Sequence, residues 1–274
     1  PWLASYPKKM PAEVGPMPSA SIGDLLVTAC RDFAGNPAFT CMDKTITFAE
    51  LERLSTAFAA YLQSKGLRKG ARVALMMPNV LQYPVAMMAC LRAGCVVVNC
   101  NPLYTPRELE HQLKDSGATT IVIVENFAHT LEQVIAHTAI KHVIVTPMGE
   151  MLGLKGIIVN FVVRHVKKLV PAWSLPGSIG FNSALSTGRS HGWQAVPLTQ
   201  DDIAFLQYTG GTTGVSKGAM LTHANIASNV TQAYSWIKPV VREGEEFIIT
   251  ALPLYHIFAL TANCLTFLMI GARN

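Results

Sequence analysis

The chain has 274 residues, half of them hydrophobic, 14% charged, with a formal charge of +5. That length buries a sizeable core in one large or two modest units, and the composition excludes disordered and collagenous chains. The small basic excess suits a surface that meets anionic lipid, nucleotide or coenzyme A, and equally plain solubility, and no nucleic-acid partner is expected.

The first helix signature begins at Ser21, a capping residue followed by Asp24, with Ile22, Leu25, Leu26, Ala29 and Phe33 at helical spacing. Residues 38–41 and 45–48 predict a hairpin turning about Asp43–Lys44. Thr47 with Glu50 forms a capping box for a helix bearing Leu51, Leu54, Phe58 and Leu62, stopped at Gly66. A strand over 72–76, a buried helix over 80–93 and a strand over 95–98 follow. Thr105, Pro106 and Glu108 open the next helix, which Gly117 ends. Then come a strand over 120–124, a further helix and a strand over 142–145.

Residues 153–171 interleave Ile157, Ile158, Phe161, Val162 and Val166 with Lys155, Arg164, Lys167 and Lys168. This basic amphipathic helix either lies in a membrane interface or is a surface helix with a solvated basic face. The Gly-, Ser- and Pro-rich stretch over 171–197 reads as a long connection, and 202–208 as a buried strand. Residues 252–272 carry no charge and are long enough to span a bilayer, but Pro253, Tyr255, His256 and Asn263 favour a strand, a turn and a buried helix. Strands alternating with helices imply an α/β fold: a doubly wound, mostly parallel sheet with helices on both faces. The runs Val96–Val98 and Ile121–Val124 suit strands covered on both sides.

The six cysteines show no Cys-x-x-Cys pair and fit buried, reduced thiols of a cytoplasmic protein. The N-terminus lacks the order of a secretion signal.

Three glycines and three threonines crowd into Thr209, Gly210, Gly211, Thr212, Thr213 and Gly214, with Val215, Ser216, Lys217 and Gly218 behind them. Glycines let backbone N–H groups approach a polyanion, hydroxyls add uncharged donors, and lysine supplies a point charge for a phosphate oxygen. A plain turn needs one or two glycines and no lysine. Walker A and dinucleotide loops space these residues differently. Residues 219–221 read as a strand, and Thr222 caps a helix bearing Ile226, Val230 and Ala233.

The stretch from Tyr208 to His223 resembles the signature loop of the adenylate-forming, AMP-binding superfamily, and its wording is most similar to bacterial long-chain fatty acyl-CoA synthetases. Residues 77–83, 92–105 and 108–117 resemble that family's amino-terminal subdomain. The resemblance implies that Tyr208 through Ala219 wraps the β- and γ-phosphates of ATP. It gives Thr209 a part in placing Mg²⁺, and Lys217 the neutralising of departing pyrophosphate. Gly210 stands where the family often has serine and Ser216 where it often has proline, so loop rigidity is expected to change more than function. It places Tyr255, His256 and Phe258 near the acyl carboxylate and the entrance to the acyl tunnel. Read alone, His256 could be a core histidine and the two aromatics core side chains.

The implied function is ATP-dependent activation of a fatty acid to acyl-AMP and then acyl-CoA. The alternatives are an aryl or medium-chain acid, or a nucleotide-binding fragment without turnover. Residues 1–20 are expected to form a lead segment, 21–170 a first subdomain, 171–200 a connection and 201–274 the phosphate-loop region. The family's later motifs and C-terminal domain are expected beyond residue 274, so this portion alone is expected to be inactive. The resemblance is consistent with a cytoplasmic protein at the inner membrane face, and homodimerisation stays open.

Overall fold

The computed structural model describes residues 2–7, 10–15, 19–209 and 216–274. After a short 3₁₀ turn at Trp2–Ser5, α1 (Ile22–Asp32) starts where Ser21 Oγ accepts the Asp24 N–H at 3.0 Å. A separate hairpin pairs β1 (Pro37–Cys41) with β2 (Lys44–Thr47). It turns on Met42 and Asp43, both at positive φ, one residue earlier than the sequence suggests. Lys155 Nζ donates to the Met42 carbonyl oxygen at 2.9 Å and to the Asp43 carboxylate at 2.5 Å, so a distant cation ties down this turn.

The capping boxes form as expected. In α2 (Phe48–Ser64), Thr47 Oγ1 accepts the Glu50 N–H and Glu50 accepts the Thr47 N–H, at 3.1 and 2.9 Å. Thr105 and Glu108 do the same for α4 (Pro106–Ser116). At α8 (His223–Ile237), Thr222 is paired with Asn225 in place of an acid.

The main sheet has seven strands in the described residues. Its strands are β3 (Arg72–Met76), β4 (Val96–Asn99), β5 (Thr120–Val124), β6 (His142–Thr146), β7 (Ile179–Gly180), β8 (Ile203–Thr209) and β9 (Lys217–Thr222). Their order is β7-β6-β5-β3-β4-β8-β9, all parallel except β9, which returns antiparallel beside β8. The fold is therefore α/β with a mostly parallel sheet. Alternation along the strands makes two cores: Val73, Leu75, Val97 and Phe205 face one way, and Ala74, Met76, Val98 and Leu206 the other. The first side is covered by α1, α2, α3 (Gln82–Arg92), α7 (Phe181–His191) and α8, the second by α4 and α5 (Ala128–Glu132). The apolar strand runs therefore mark a sheet buried on both faces.

Three segments differ from the sequence reading. The stretch taken as a connection contains β7 and α7, whose Phe181, Ala184, Leu185 and Gly188 follow helical spacing. Gly188 lies so close to α2 that a Cβ there would sit 1.8 Å from the Ala57 carbonyl oxygen. Phe181 stacks on Phe58 with ring centroids 4.8 Å apart. The basic amphipathic segment forms α6 (Leu154–Phe161), then widens into a π-turn at Val162–Val166 and stops at Lys168, at φ 52°. Residues 252–272 form a turn and then a helix whose middle, Ala259–Leu265, is also π, ending in α9 (Thr266–Met269). Among the described residues no helix is long and apolar enough to cross a membrane.

Candidate functional site

In open α/β sheets, ligands gather at the carboxyl ends of the parallel strands. Here β8 ends at Thr209 and β9 leaves from Lys217, paired Thr209↔Lys217 and Tyr208↔Gly218. Gly210, Gly211, Thr212, Thr213, Gly214 and Val215 lie outside the described residues. Both side chains that flank them, Thr209 and Lys217, are exposed, and so is Ala219.

The base of this loop is tightly braced. Ser216 Oγ donates to the Thr209 carbonyl oxygen at 2.6 Å, closing the two ends together. A proline at this position has no hydroxyl to make that bond. His111 Nε2 lies 3.0 Å from the Ser216 carbonyl oxygen. A carbonyl only accepts, so the ring proton there is on Nε2. Tyr208 donates its hydroxyl to Asp115 at 2.6 Å, and burial together with that carboxylate holds the phenol well above its usual pKa. The Tyr208 ring lies over Gly218, where a Cβ would be 2.9 Å from the ring atoms and would push the ring away from Asp115. One helix, α4, therefore grips the loop on both sides, through Asp115 before it and His111 after it.

The second expected segment, 253–258, lies beside the end of β8. Gln207, two residues before Thr209, donates through Nε2 to the Tyr255 carbonyl oxygen at 3.0 Å. Asn79 donates to the carbonyl oxygens of Thr250 and Leu252, at 3.0 and 2.9 Å, and accepts the Leu254 N–H at 2.8 Å. Phe258 donates its N–H to His256 Nδ1 at 3.4 Å, so that nitrogen is the acceptor and Nε2 is the free edge of the ring. His256 and Phe258 are exposed and Tyr255 is half-buried, which rules out the satisfied core histidine that the sequence left open. Tyr255 lines a cavity of about 300 Å³ whose other walls include Pro78, Pro102, Leu103, Phe127 and Pro253.

The motif residues Thr209, Ser216, Lys217, Tyr255 and His256 are thus brought to one end of the sheet. Asn79, His111, Asp115 and Gln207 escaped the sequence reading. On α4 the two polar residues look like part of a solvated face, and Gln207 hides in an apolar strand. The only sequence signal for Gln207 was an amide in a strand otherwise fit for full burial.

The AMP-binding enzyme family profile matches residues 26–274. A long-chain-fatty-acid–CoA ligase of Escherichia coli O6:H1 is 56% identical over 275 aligned positions, spanning 100% of this chain and 49% of that protein. One from Bacillus subtilis is 33% identical, spanning 96% of this chain and 47% of that protein. This chain therefore spans about half the length of the curated relatives it matches. Among solved structures, a long-chain-fatty-acid–CoA ligase from Archaeoglobus fulgidus superposes with a TM-score of 0.76 at 24% identity, covering 98% of this chain and 49% of that one. An anthranilate CoA ligase in complex with anthranoyl-AMP gives 0.75 at 21%, covering 94% and 45%. These structural likenesses show the fold, and the profile shows the family: the chain belongs to the AMP-binding enzymes.

Proposed function

We propose that the protein to which this chain belongs activates a long-chain fatty acid with ATP and passes the acyl group to coenzyme A. The observation that carries this reading is the convergence of exposed Thr209 and Lys217 with the Tyr255–His256 turn at one end of the sheet, joined through Gln207. The carboxylate oxygen attacks the α-phosphorus of ATP, the bond to the bridging oxygen breaks, and pyrophosphate leaves, giving acyl-AMP. The coenzyme A sulfur then attacks the acyl carbon and AMP departs, its thiol proton going to solvent. Such steps need positioning and charge neutralisation more than covalent help. Lys217 would neutralise the leaving pyrophosphate, and the Nε2 edge of His256 would hold a carboxylate or α-phosphate oxygen. The chain from Tyr208 to Ala219 would hold the triphosphate.

Magnesium fits this reading as a partner of phosphate oxygens with the Thr209 hydroxyl beside it. The described residues contain no group of three His, Cys, Asp or Glu side chains that could cage a metal alone. Mg²⁺ is held in this way, by few protein ligands plus substrate phosphates, in many nucleotide sites, where it offsets phosphate charge.

The apolar cavity beside Tyr255 favours an aliphatic acid, as does the likeness to ligases named for long-chain fatty acids. Peripheral contact with an anionic membrane surface belongs to the same reading. In α6 and the turns after it, Leu154 is 84% exposed, Ile157 67% and Ile158 66%. Lys155 and Arg164 are turned to Asp43 and Glu125, the latter pair at 2.6 and 2.8 Å. A helix with a merely solvated basic face would hide its apolar side; this one leaves that side exposed along with its cations. No acidic residue occurs between Glu150 and Asp201, and Lys167 and Lys168 are exposed. A fatty acid dissolved in the bilayer would thus be met at its source.

The test is acid-dependent ATP–pyrophosphate exchange by a polypeptide that extends this chain to its relatives' full length. Exchange should peak with long fatty acids and fall about a hundredfold in Lys217→Ala. A maximum with aromatic or short acids would overturn the substrate class, and no exchange with any acid would overturn the reaction.

A further inference from the structure

A turn that directs successive backbone carbonyls into a protein must find a donor for each, because an unpaired buried carbonyl is costly. The segment 253–258 does this twice. The Leu254 carbonyl oxygen lies 2.9 Å from the Tyr83 hydroxyl and the Tyr255 carbonyl oxygen accepts from Gln207 Nε2. Tyr83 is fully buried, and its single proton is shared between Leu254 and Asn99 Oδ1, 2.8 Å away. Asn99 in turn donates through Nδ2 to Gln207 Oε1 at 3.2 Å, and its own carbonyl accepts from Gln112 Nε2 at 2.8 Å. Both faces of the Gln207 amide are therefore committed: its oxygen is fixed by Asn99 on β4, so its nitrogen can point only at Tyr255.

We infer that Gln207 is a positioning residue that sets the distance between the acid-side turn and the strand ends at Thr209 and Lys217. The strand that ends in Thr209 carries Gln207 two residues earlier, so one short rigid strand locates both. Its amide thereby fixes the peptide that carries His256 relative to Thr209 and Lys217. This rests on the activity proposed above. Displacements near 1 Å between reacting groups cost enzymes about a hundredfold in rate, so this spacing is one the reaction would feel.

Two substitutions separate positioning from plain packing. Gln207→Met keeps the shape and removes both hydrogen bonds. Gln207→Glu keeps the acceptor for Asn99 but, while ionised, has no donor for Tyr255. A carboxyl in this buried place titrates above its usual range, and once protonated it regains an O–H to donate. In the full-length protein, Gln207→Met should lower kcat/KM for the fatty acid about tenfold or more at every pH, with KM for ATP within about twofold of the parent. Gln207→Glu should show the same deficit near pH 8 and recover several-fold, relative to the parent, towards pH 6.

Hydrogen exchange of peptides covering 253–258 reads the same effect on this chain without turnover: faster in the Met variant, and faster in the Glu variant only at the higher pH. Unchanged exchange protection, or Glu and Met variants that share one pH profile, would overturn the inference. So would acid and ATP parameters that fall together. A parent that holds the turn as described but shows no acid-dependent activity would instead overturn the proposed reaction.

Discussion

His223 closes the first turn of α1 from the far end of the chain: the Ile22 N–H donates to its Nδ1 at 3.3 Å, and the ring is 2% exposed. Burial lowers its pKa, with Lys69 acting the same way and Asp202 and Asp24 opposing. Protonation would both charge a buried ring and remove the acceptor. In the unfolded chain the imidazole titrates near 6.5, so below that value the unfolded state binds more protons than the folded one. The contribution is complete above about pH 6.5 and is lost as the pH falls from there towards the lowered folded-state value. The melting temperature should decline over that range, and His223→Asn, whose amide oxygen can replace Nδ1, should flatten the decline. His142, shifted the same way, leaves a residual slope. A slope unchanged in His223→Asn would refute this role. In the sequence a motif named Lys217 and His256 as candidates. His223, His111, Asp115 and Gln207 were not so named, because each acts on a partner tens to hundreds of positions away and no local pattern encodes that.

Elements show a similar division. Capping boxes at Thr47 and Thr105 were readable because both partners lie within four residues. The π-turns at Val162–Val166 and Ala259–Leu265 were not, since their apolar spacing passes for that of an α-helix. Helix α7 was hidden by its glycine and serines, yet the glycine is what lets it approach α2. A Cβ at Gly188 would also fall 2.9 Å from the Tyr61 nitrogen, against backbone that cannot swing aside. Gly188→Val should therefore force the helices apart and cost about 2–3 kcal/mol, read as a lowered denaturation midpoint with little change in slope. Stability within about 0.5 kcal/mol of the parent would show that α7 is held elsewhere.

At the scale of the molecule, alternating strands and helices announced the α/β class. Strand order could not be read, because β4 and β8 are adjacent only after the whole segment between them has folded away. The exposed face of α6 leads to a prediction of its own. Affinity for anionic vesicles, read by sedimentation, should fall about a hundredfold or more when Ile157 and Phe161 become glutamine, since each buried apolar side chain contributes about 1.5–3 kcal/mol. Replacing Lys167 and Lys168 with glutamine should weaken binding mainly at low salt. Sedimentation indifferent to both pairs would dispose of the membrane contact.

The β4–β8 pairing, Val97↔Phe205 in its register, also sets the order in which the protein can be made. Local pieces such as the β1–β2 hairpin can form as soon as they are synthesised, but this pairing must close a loop of about a hundred residues, a slow and entropically costly step. Among the described strands, β9 pairs with β8 alone. On a growing chain β8 and β9 therefore join the sheet after its other described strands.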